Sequence, residues 1–174
     1  NLIIGDLLTL VSMDSKTMRL NRSTFSLAQV VTDTAHRLAL VAEKNHQELK
    51  LSLNDRCEMF ADNAKLTQVV YNLMENALKY TQEGGTIRVR LVRSGRDAVL
   101  TVSDNGPGIP KEDQAHIFER FYRVDKARSR ETGGTGLGLS IVHQMVLAHG
   151  GSVSVESEEG QGTTFTVELP IHQG

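Results

Sequence analysis

One cysteine, Cys57, serves a chain of 174 residues. That scarcity excludes an internal disulfide and leaves no partner for a cysteine zinc site. Cys57 reads instead as a small buried hydrophobe, in keeping with a reducing compartment. Excess charge of either sign is missing too. The formal net charge is −2, so nothing global points to nucleic acid or to an anionic membrane as partner. No apolar run approaches the ~20 residues of a membrane-spanning helix, and no signal peptide opens the chain. Internal repeats and low-complexity tracts are likewise absent. The first residue is Asn1, inside a helical pattern rather than a Met, which is what a piece of a longer protein would show.

What is present is an ordinary globular composition, 39% hydrophobic and 23% charged. Such a chain can bury roughly two-thirds of its unfolded surface. Residues 1–20 carry apolar side chains at Leu2, Ile3, Leu7, Leu8, Leu10, Val11 and Met18, a wide stripe suited to a helix packed on a partner helix. Ser26 offers an N-cap for a helix over 27–44, with Val30, Val31, Ala35, Leu38 and Val41 on one face. Two short strands are expected at 49–53 and 57–61, around an Asn54-Asp55 turn. A strongly amphipathic helix covers 63–80, with Leu66, Val69, Val70, Leu73 and Ala77 on one side.

"GTIRVRLV" and "DAVLTVSD" alternate cleanly and are joined through Ser94-Gly95-Arg96 as a hairpin. A glycine- and proline-broken stretch and a basic segment follow, then a last helix over 137–149 closed by Gly150-Gly151. "SVSVES" and "TTFTVELP" finish the chain as strands around a Gly160–Gly162 turn. Hairpins alternating with helices predict a two-layer α/β sandwich, with a mixed, mostly antiparallel sheet covered by helices on one face. They do not give the alternation of a doubly wound parallel fold.

Three stretches carry chemistry. In "NLMENALKYT" (72–81), Asn72, Asn76 and Lys79 project from one side of the helix, away from its apolar face. Two amides beside a lysine cost helix propensity, yet they suit oxygen donation to a hard cation and hydrogen bonding to phosphate. In "SDNGPGIP" (103–110), a strand delivers Asp104 to its end, where Gly106 and Gly108 let the backbone turn tightly. A carboxylate fixed there can read an exocyclic amine such as adenine N6; alone, the stretch would equally be a plain Asp-Asn-Gly turn.

The third stretch runs from Phe118 to Ser140. It sets Arg120, Arg123, Lys126, Arg128 and Arg130 ahead of the glycine loop "GGTGLGLS" and lacks the periodicity of a core element, as a lid does. Gly133 and Gly138 mimic the P-loop spacing, but Leu139 stands where that loop needs Lys, and the dinucleotide fingerprint fails as well. Phosphate would have to be received by the N–H groups and dipole of the following helix. The cation would then come from Lys79 on another helix, with a magnesium ion held by Asn76.

"NLMENALKYT", "DNGPGIP", "FERFYR" and "GGTGLGLS", in this order, resemble the N, G1, F and G2 boxes of sensor histidine kinases. These kinases share an ATPase superfamily (the GHKL, or Bergerat-fold, proteins) with gyrase, a heat-shock chaperone and mismatch-repair ATPases. The resemblance covers roughly 25–170. It implies a catalytic ATP-binding domain over 23–174, and over 1–22 the end of a dimerisation and phosphoacceptor hairpin helix. It makes Asn76 the Mg2+ ligand, sets Asn72 and Lys79 on the phosphates, and adds Arg123 from the lid as a catalytic cation. Tyr80 would lie against adenine and Asp104 would bind its amine. Gly106, Gly108 and Ile109 would shape the base pocket, while Gly134, Thr135, Gly136, Leu137 and Gly138 would wrap the triphosphate.

The same resemblance implies ATP and Mg2+ as cofactors and the chain's own hairpin domain and a response regulator as partners. It also implies a homodimeric full-length protein, no nucleic-acid partner, and a cytoplasmic domain of a parent in the cell membrane. The family's acceptor histidine sits in an H-[ED]-x-[RK]-T-P type motif. None of His36, His46, His116, His143, His149 and His172 has that context, so the acceptor is expected outside this sequence. Hydrolytic members of the superfamily carry Glu one turn before the magnesium Asn, as a base for water. Asn72 occupies that position here. An imidazole is already nucleophilic near neutral pH, so the substitution favours phosphotransfer to histidine over an ATP-driven machine. A nucleotide-binding pseudokinase is the remaining alternative.

Overall fold

The computed structural model describes residues 19–119 and 138–171. In chain order the elements are β1 (Ser23–Ser26), α1 (Leu27–Lys44), β2 (Glu48–Leu53), β3 (Glu58–Ala61), α2 (Asn63–Tyr80), β4 (Thr86–Ser94) and β5 (Asp97–Asp104). They continue with a single turn α3 (Lys111–Gln114), then α4 (Gly138–Ala148), β6 (Ser152–Glu158) and β7 (Gly162–Pro170). Five strands form one sheet in the order β2-β4-β5-β7-β6, antiparallel except for β2 and β4. The helices α1, α2 and α4 bury their apolar sides together with one sheet face. The other face is lined by Arg88, Arg90, Thr101, Ser103, Thr164 and Thr166, as a sheet open to water on one side requires. This is the predicted α/β sandwich.

Strand register organises the inward face into layers. One runs Leu53, Leu91, Leu100, Val167, Val153, and the next Leu51, Val89, Val102, Phe165, Val155. The layer after that runs Leu49, Ile87, Asp104, Thr163, Ser157. Apolar packing therefore gives way, over three adjacent strands, to a carboxylate and two hydroxyls that still point to the helix side. This polar end of the core is where the candidate site lies.

The two long helices have the expected limits. Ser26 caps α1 by accepting the Gln29 N–H, and Asp62 caps α2 by accepting the Lys65 N–H at 3.1 Å. Leu66, Val69, Val70, Leu73 and Ala77 are buried as the periodicity requires. Truncating a fully buried leucine such as Leu73 to alanine would cost about 2–5 kcal/mol. Val41 departs from the expectation at 44% exposure, because it lies in the last turn of α1, which packs beside the edge strand β2.

The two short strands are the larger correction. They do not pair with each other: β2 joins β4 in parallel across the α2 crossover, whereas β3 pairs with β1, a strand the sequence pattern did not reveal. The chain leaves the sheet where the Asp55 carboxylate accepts the Cys57 N–H at 2.8 Å and Cys57 adopts φ +50°. Cys57 itself is buried as expected, and burial pushes its thiol up to about 11. The proposed helix over 1–20 falls almost wholly outside the described residues, and no helix among them is long and apolar enough to cross a membrane.

A buried histidine pins α4 to the start of α2. His149, 2% exposed, donates Nδ1–H to the Met145 carbonyl at 2.8 Å and accepts the Asp62 N–H on Nε2 at 3.2 Å. Only the neutral ring can do both, and burial lowers its pKa, as Arg22 and Lys65 do more weakly against Met145 and Asp62. For Asp62, burial works to raise the carboxyl, but the Asn21 and Lys65 N–H groups and the Lys65 ammonium together hold it below its usual range.

His149 therefore makes stability pH-dependent. Its unfolded pKa of 6.5 exceeds the folded value, so the unfolded chain binds more protons below that pH. The contribution is complete above about pH 6.5 and is lost as pH falls towards the folded pKa, at up to ~1.4 kcal/mol per unit. Urea midpoints at pH 7.5 and 5.5 should differ clearly in the native chain, and less in His149→Gln.

Candidate functional site

Three segments meet along α2. Its C-terminal end is joined to the end of β5 through Asn105, whose side-chain oxygen accepts the Thr86 N–H at 2.8 Å and whose carbonyl accepts the Gln82 amide at 3.2 Å. Gly106 then passes against the Tyr80 carbonyl and the Thr81 α-carbon, and a β-carbon there would stand 3.1 and 3.3 Å from them. Nearer the middle of α2, the Asn72 amide donates to the carbonyl of Gly138, the first residue of α4, at 3.5 Å. From Asn72 to Tyr80 the helix rises about 12 Å. The "DNGPGIP" loop and the end of the "GGTGLGLS" loop thus border the same helix, a nucleotide's length apart.

Asp104 is the fixed point at the first end. Its carboxylate accepts the Gly106 N–H at 2.9 Å and the Thr163 N–H, yet burial prevails and its pKa stays above the usual carboxylate range. Two glycines make the approach possible. Gly162, at φ +119°, runs so close to the Asp104 carbonyl that a β-carbon would overlap it, and Gly108, at φ +78°, stands likewise against Glu158. Ile109, half-buried, gives its N–H to the Ser157 hydroxyl at 2.7 Å.

Along α2, Asn72, Asn76, Lys79 and Tyr80 are all half-buried on the flank of the helix rather than in the core. The Lys79 ammonium lies 3.3 Å from the Glu75 carboxylate, an i,i+4 pair at partial exposure. Such a pair is weak enough for a phosphate to compete with. Arg123, Gly134, Thr135, Gly136 and Leu137 lie outside the described residues. Phe118, ahead of the basic stretch, packs between His143 and Phe165, with ring centroids 5.4 and 6.2 Å away.

Sequence reasoning missed Thr163, Ser157 and Gln114. The signal was available for the first two. Counting back by two from Phe165 and forward by two from Val155 puts Thr163 and Ser157 on the inward parity of their strands, where a polar residue needs a reason. Gln114 had none, since a half-buried glutamine on a single helical turn follows no period.

The donor set can be weighed for a divalent cation. Among the described residues no group of three or more His, Cys, Asp or Glu could hold a metal. Asn76 offers a hard amide oxygen one turn from Asn72. That fits Mg2+, which binds through few protein ligands and completes its shell with water and substrate phosphates.

Residues 61–173 match the family described as histidine kinase-, DNA gyrase B-, and HSP90-like ATPase. Sensor histidine kinase WalK of Bacillus subtilis is 42% identical over 175 residues, which cover 98% of this chain and 28% of that protein. Sensor histidine kinase RppB of a Synechocystis species is 40% identical over 171 residues, and the chain spans 37% of its length. Among solved structures, full-length ShkA in complex with AMPPNP superposes with a TM-score of 0.85 at 27% identity, over 99% of this chain and 36% of that one. The nucleotide-free catalytic domain of histidine kinase ThkA gives 0.78 at 26% identity, over 90% and 98%. With the "DNGPGIP" loop and the start of α4 bordering one helix and this match across the sheet, the chain belongs to the histidine kinase-, DNA gyrase B- and HSP90-like ATPases and is similar to the catalytic domains of sensor histidine kinases.

Proposed function

We propose that the chain binds ATP with Mg2+ and transfers the γ-phosphoryl group to a histidine on the hairpin domain of its longer parent. The observation that carries this reading is Asn72. The turn of α2 that would hold a base for water holds an amide instead, bonded to the start of α4, and the nearby Glu75 is engaged by Lys79. An arriving imidazole needs no such base. Its ring nitrogen attacks the γ-phosphorus while the bond to the β,γ-bridging oxygen breaks and ADP leaves. The protein's part is alignment and charge neutralisation.

In this reading Asp104 accepts the adenine amine, with Gly106, Gly108 and Ile109 walling the base and Tyr80 lying along it. Asn72 and Lys79 bind phosphate oxygens, and the N-terminal end of α4 faces them with its dipole. Gly134, Thr135, Gly136, Leu137 and Gly138 close over the triphosphate, and Arg123 adds charge from the same segment. Asn76 would hold the Mg2+, which when bound neutralises the β- and γ-phosphate oxygens. ShkA, solved with AMPPNP, supports the nucleotide assignment by likeness. Phosphoryl transfer onward to a response regulator, homodimerisation through the hairpin, and membrane attachment of the parent follow from the family alone.

The test is reconstitution. The chain is mixed with γ-labelled ATP, Mg2+ and a histidine-bearing hairpin domain of a sensor kinase supplied in trans. Acid-labile label on the hairpin is the expected result. Release of inorganic phosphate without labelling would instead mark a hydrolytic machine, and binding without either product a pseudokinase.

A further inference from the structure

Behind the base end of the site a chain of hydrogen bonds runs from Gln114 to Asp104. The side-chain amide of Gln114 donates to two carbonyls, Ile109 and Ser157, both at 3.0 Å. The Ser157 hydroxyl accepts the Ile109 N–H at 2.7 Å and donates to the Gly162 carbonyl at 2.9 Å. With that proton committed, the 2.8 Å contact between Ser157 and Thr163 is a bond that the Thr163 hydroxyl donates. Thr163 in turn gives its N–H to the Asp104 carboxylate. Ile109 is thus held by both of its backbone groups, and the holding atoms continue without a break to Asp104. The Gly160 N–H, bonded to the Pro107 carbonyl at 2.8 Å, adds a second tie between the same loop and the β6–β7 turn.

We propose that Gln114 and Ser157 are positioning residues for base selectivity, setting the distance between the 105–110 loop and Asp104. The proposal rests on Asp104 reading adenine. Pro107 and Pro110 fix their own φ, but Gly106 and Gly108 bring no side chain to pack the loop against its surroundings, so its position depends on the groups that hold it. Its width is fixed from outside, by the Gln114 amide on one side of Ile109 and the Ser157 hydroxyl on the other. A pocket held to one width discriminates between purines, because a misplaced wall leaves polar groups of the wrong base unpaired or admits it.

Gln114→Glu keeps the shape of the side chain and removes both donors, turning two hydrogen bonds into lone-pair repulsion. Ser157→Ala removes the hydroxyl. Calorimetric titrations of the whole chain with non-hydrolysable ATP and GTP analogues, for both variants and for Asp104→Asn, decide the matter. Each strap variant should weaken the ATP analogue about tenfold and leave the GTP analogue nearly unchanged, so that the ratio falls by the same factor. Ser157→Thr, which retains the hydroxyl, should restore most of that ratio. An equal loss for both analogues would reduce the strap to general packing and overturn the proposal. A ratio unmoved in Gln114→Glu and Ser157→Ala but moved in Asp104→Asn overturns it while leaving the adenine reading intact. A ratio unmoved in all three removes the adenine reading, and the strap's role with it. Should Ser157→Ala fail to fold, Gln114→Glu decides alone, because Gln114 sits on a peripheral turn that buries no side chain.

Discussion

Asp104→Asn should cost the chain roughly tenfold to a hundredfold in affinity for an ATP analogue and most of its preference over GTP, while leaving the ligand-free protein no less stable. The affinity term follows from replacing a charged acceptor by an amide. A carboxylate held at a strand end by two backbone N–H groups presents a lone pair to an amine, whereas an asparagine can present its own NH2 group there instead. The stability term follows from the direction of the pKa shift. Burial raises the folded pKa of Asp104 above the unfolded 3.8. Its favourable contribution is therefore complete only below that value and disappears as pH rises through the folded pKa. At neutral pH the charged group is a net burden on the unliganded fold, kept for what it binds. Titration calorimetry with thermal unfolding separates the two. A fall in melting temperature with unchanged ATP-over-GTP preference would assign Asp104 a structural role only.

The same residue shows how far the sequence could be read. Its alternation along β5 was visible in "DAVLTVSD", which put Asp104 on the inward parity of a strand about to end in glycine. The limits of α1 and α2 were equally plain, because the Ser26 cap and the apolar period of 63–80 are local signals that long-range contacts did not override; the Asp62 cap was not read. The pairing of β2 and β3 was not legible. Adjacent short strands suggest a hairpin, but the partners were decided by burial: Leu49 and Leu53 pack partly buried against the core beside β4, and Met59 and Ala61 are buried opposite β1. Nor could sequence show that Lys79 shares its charge with Glu75, or that Asn72 reaches Gly138 from 66 positions away. Four boxes in order pointed to a candidate site; only the register explains why a carboxylate and two hydroxyls stand side by side at the end of an otherwise apolar core.

Asn76→Ala is expected to remove most of the strengthening of nucleotide binding by Mg2+ and to slow phosphoryl transfer by about a hundredfold to a thousandfold, the usual cost of losing one preorganised charge-stabilising group. Asn76 lies on the half-buried flank of α2, outside the buried set Leu66, Val69, Val70, Leu73, Met74, Ala77 and Leu78, so the substitution opens no core cavity. Alanine is also the better helix former by up to ~0.7 kcal/mol, so the variant should melt at the same temperature or slightly higher. A destabilised helix cannot then be blamed for lost activity. The discriminating measurement is binding of an ATP analogue with Mg2+ and with a chelator present. Removing the amide oxygen should leave the metal-free affinity within about tenfold, since a single neutral hydrogen bond is worth roughly 0.5–1.5 kcal/mol. The difference between the two conditions should collapse. Equal losses with and without Mg2+ would place Asn76 on the phosphates beside Asn72 and leave the metal to be held by other groups.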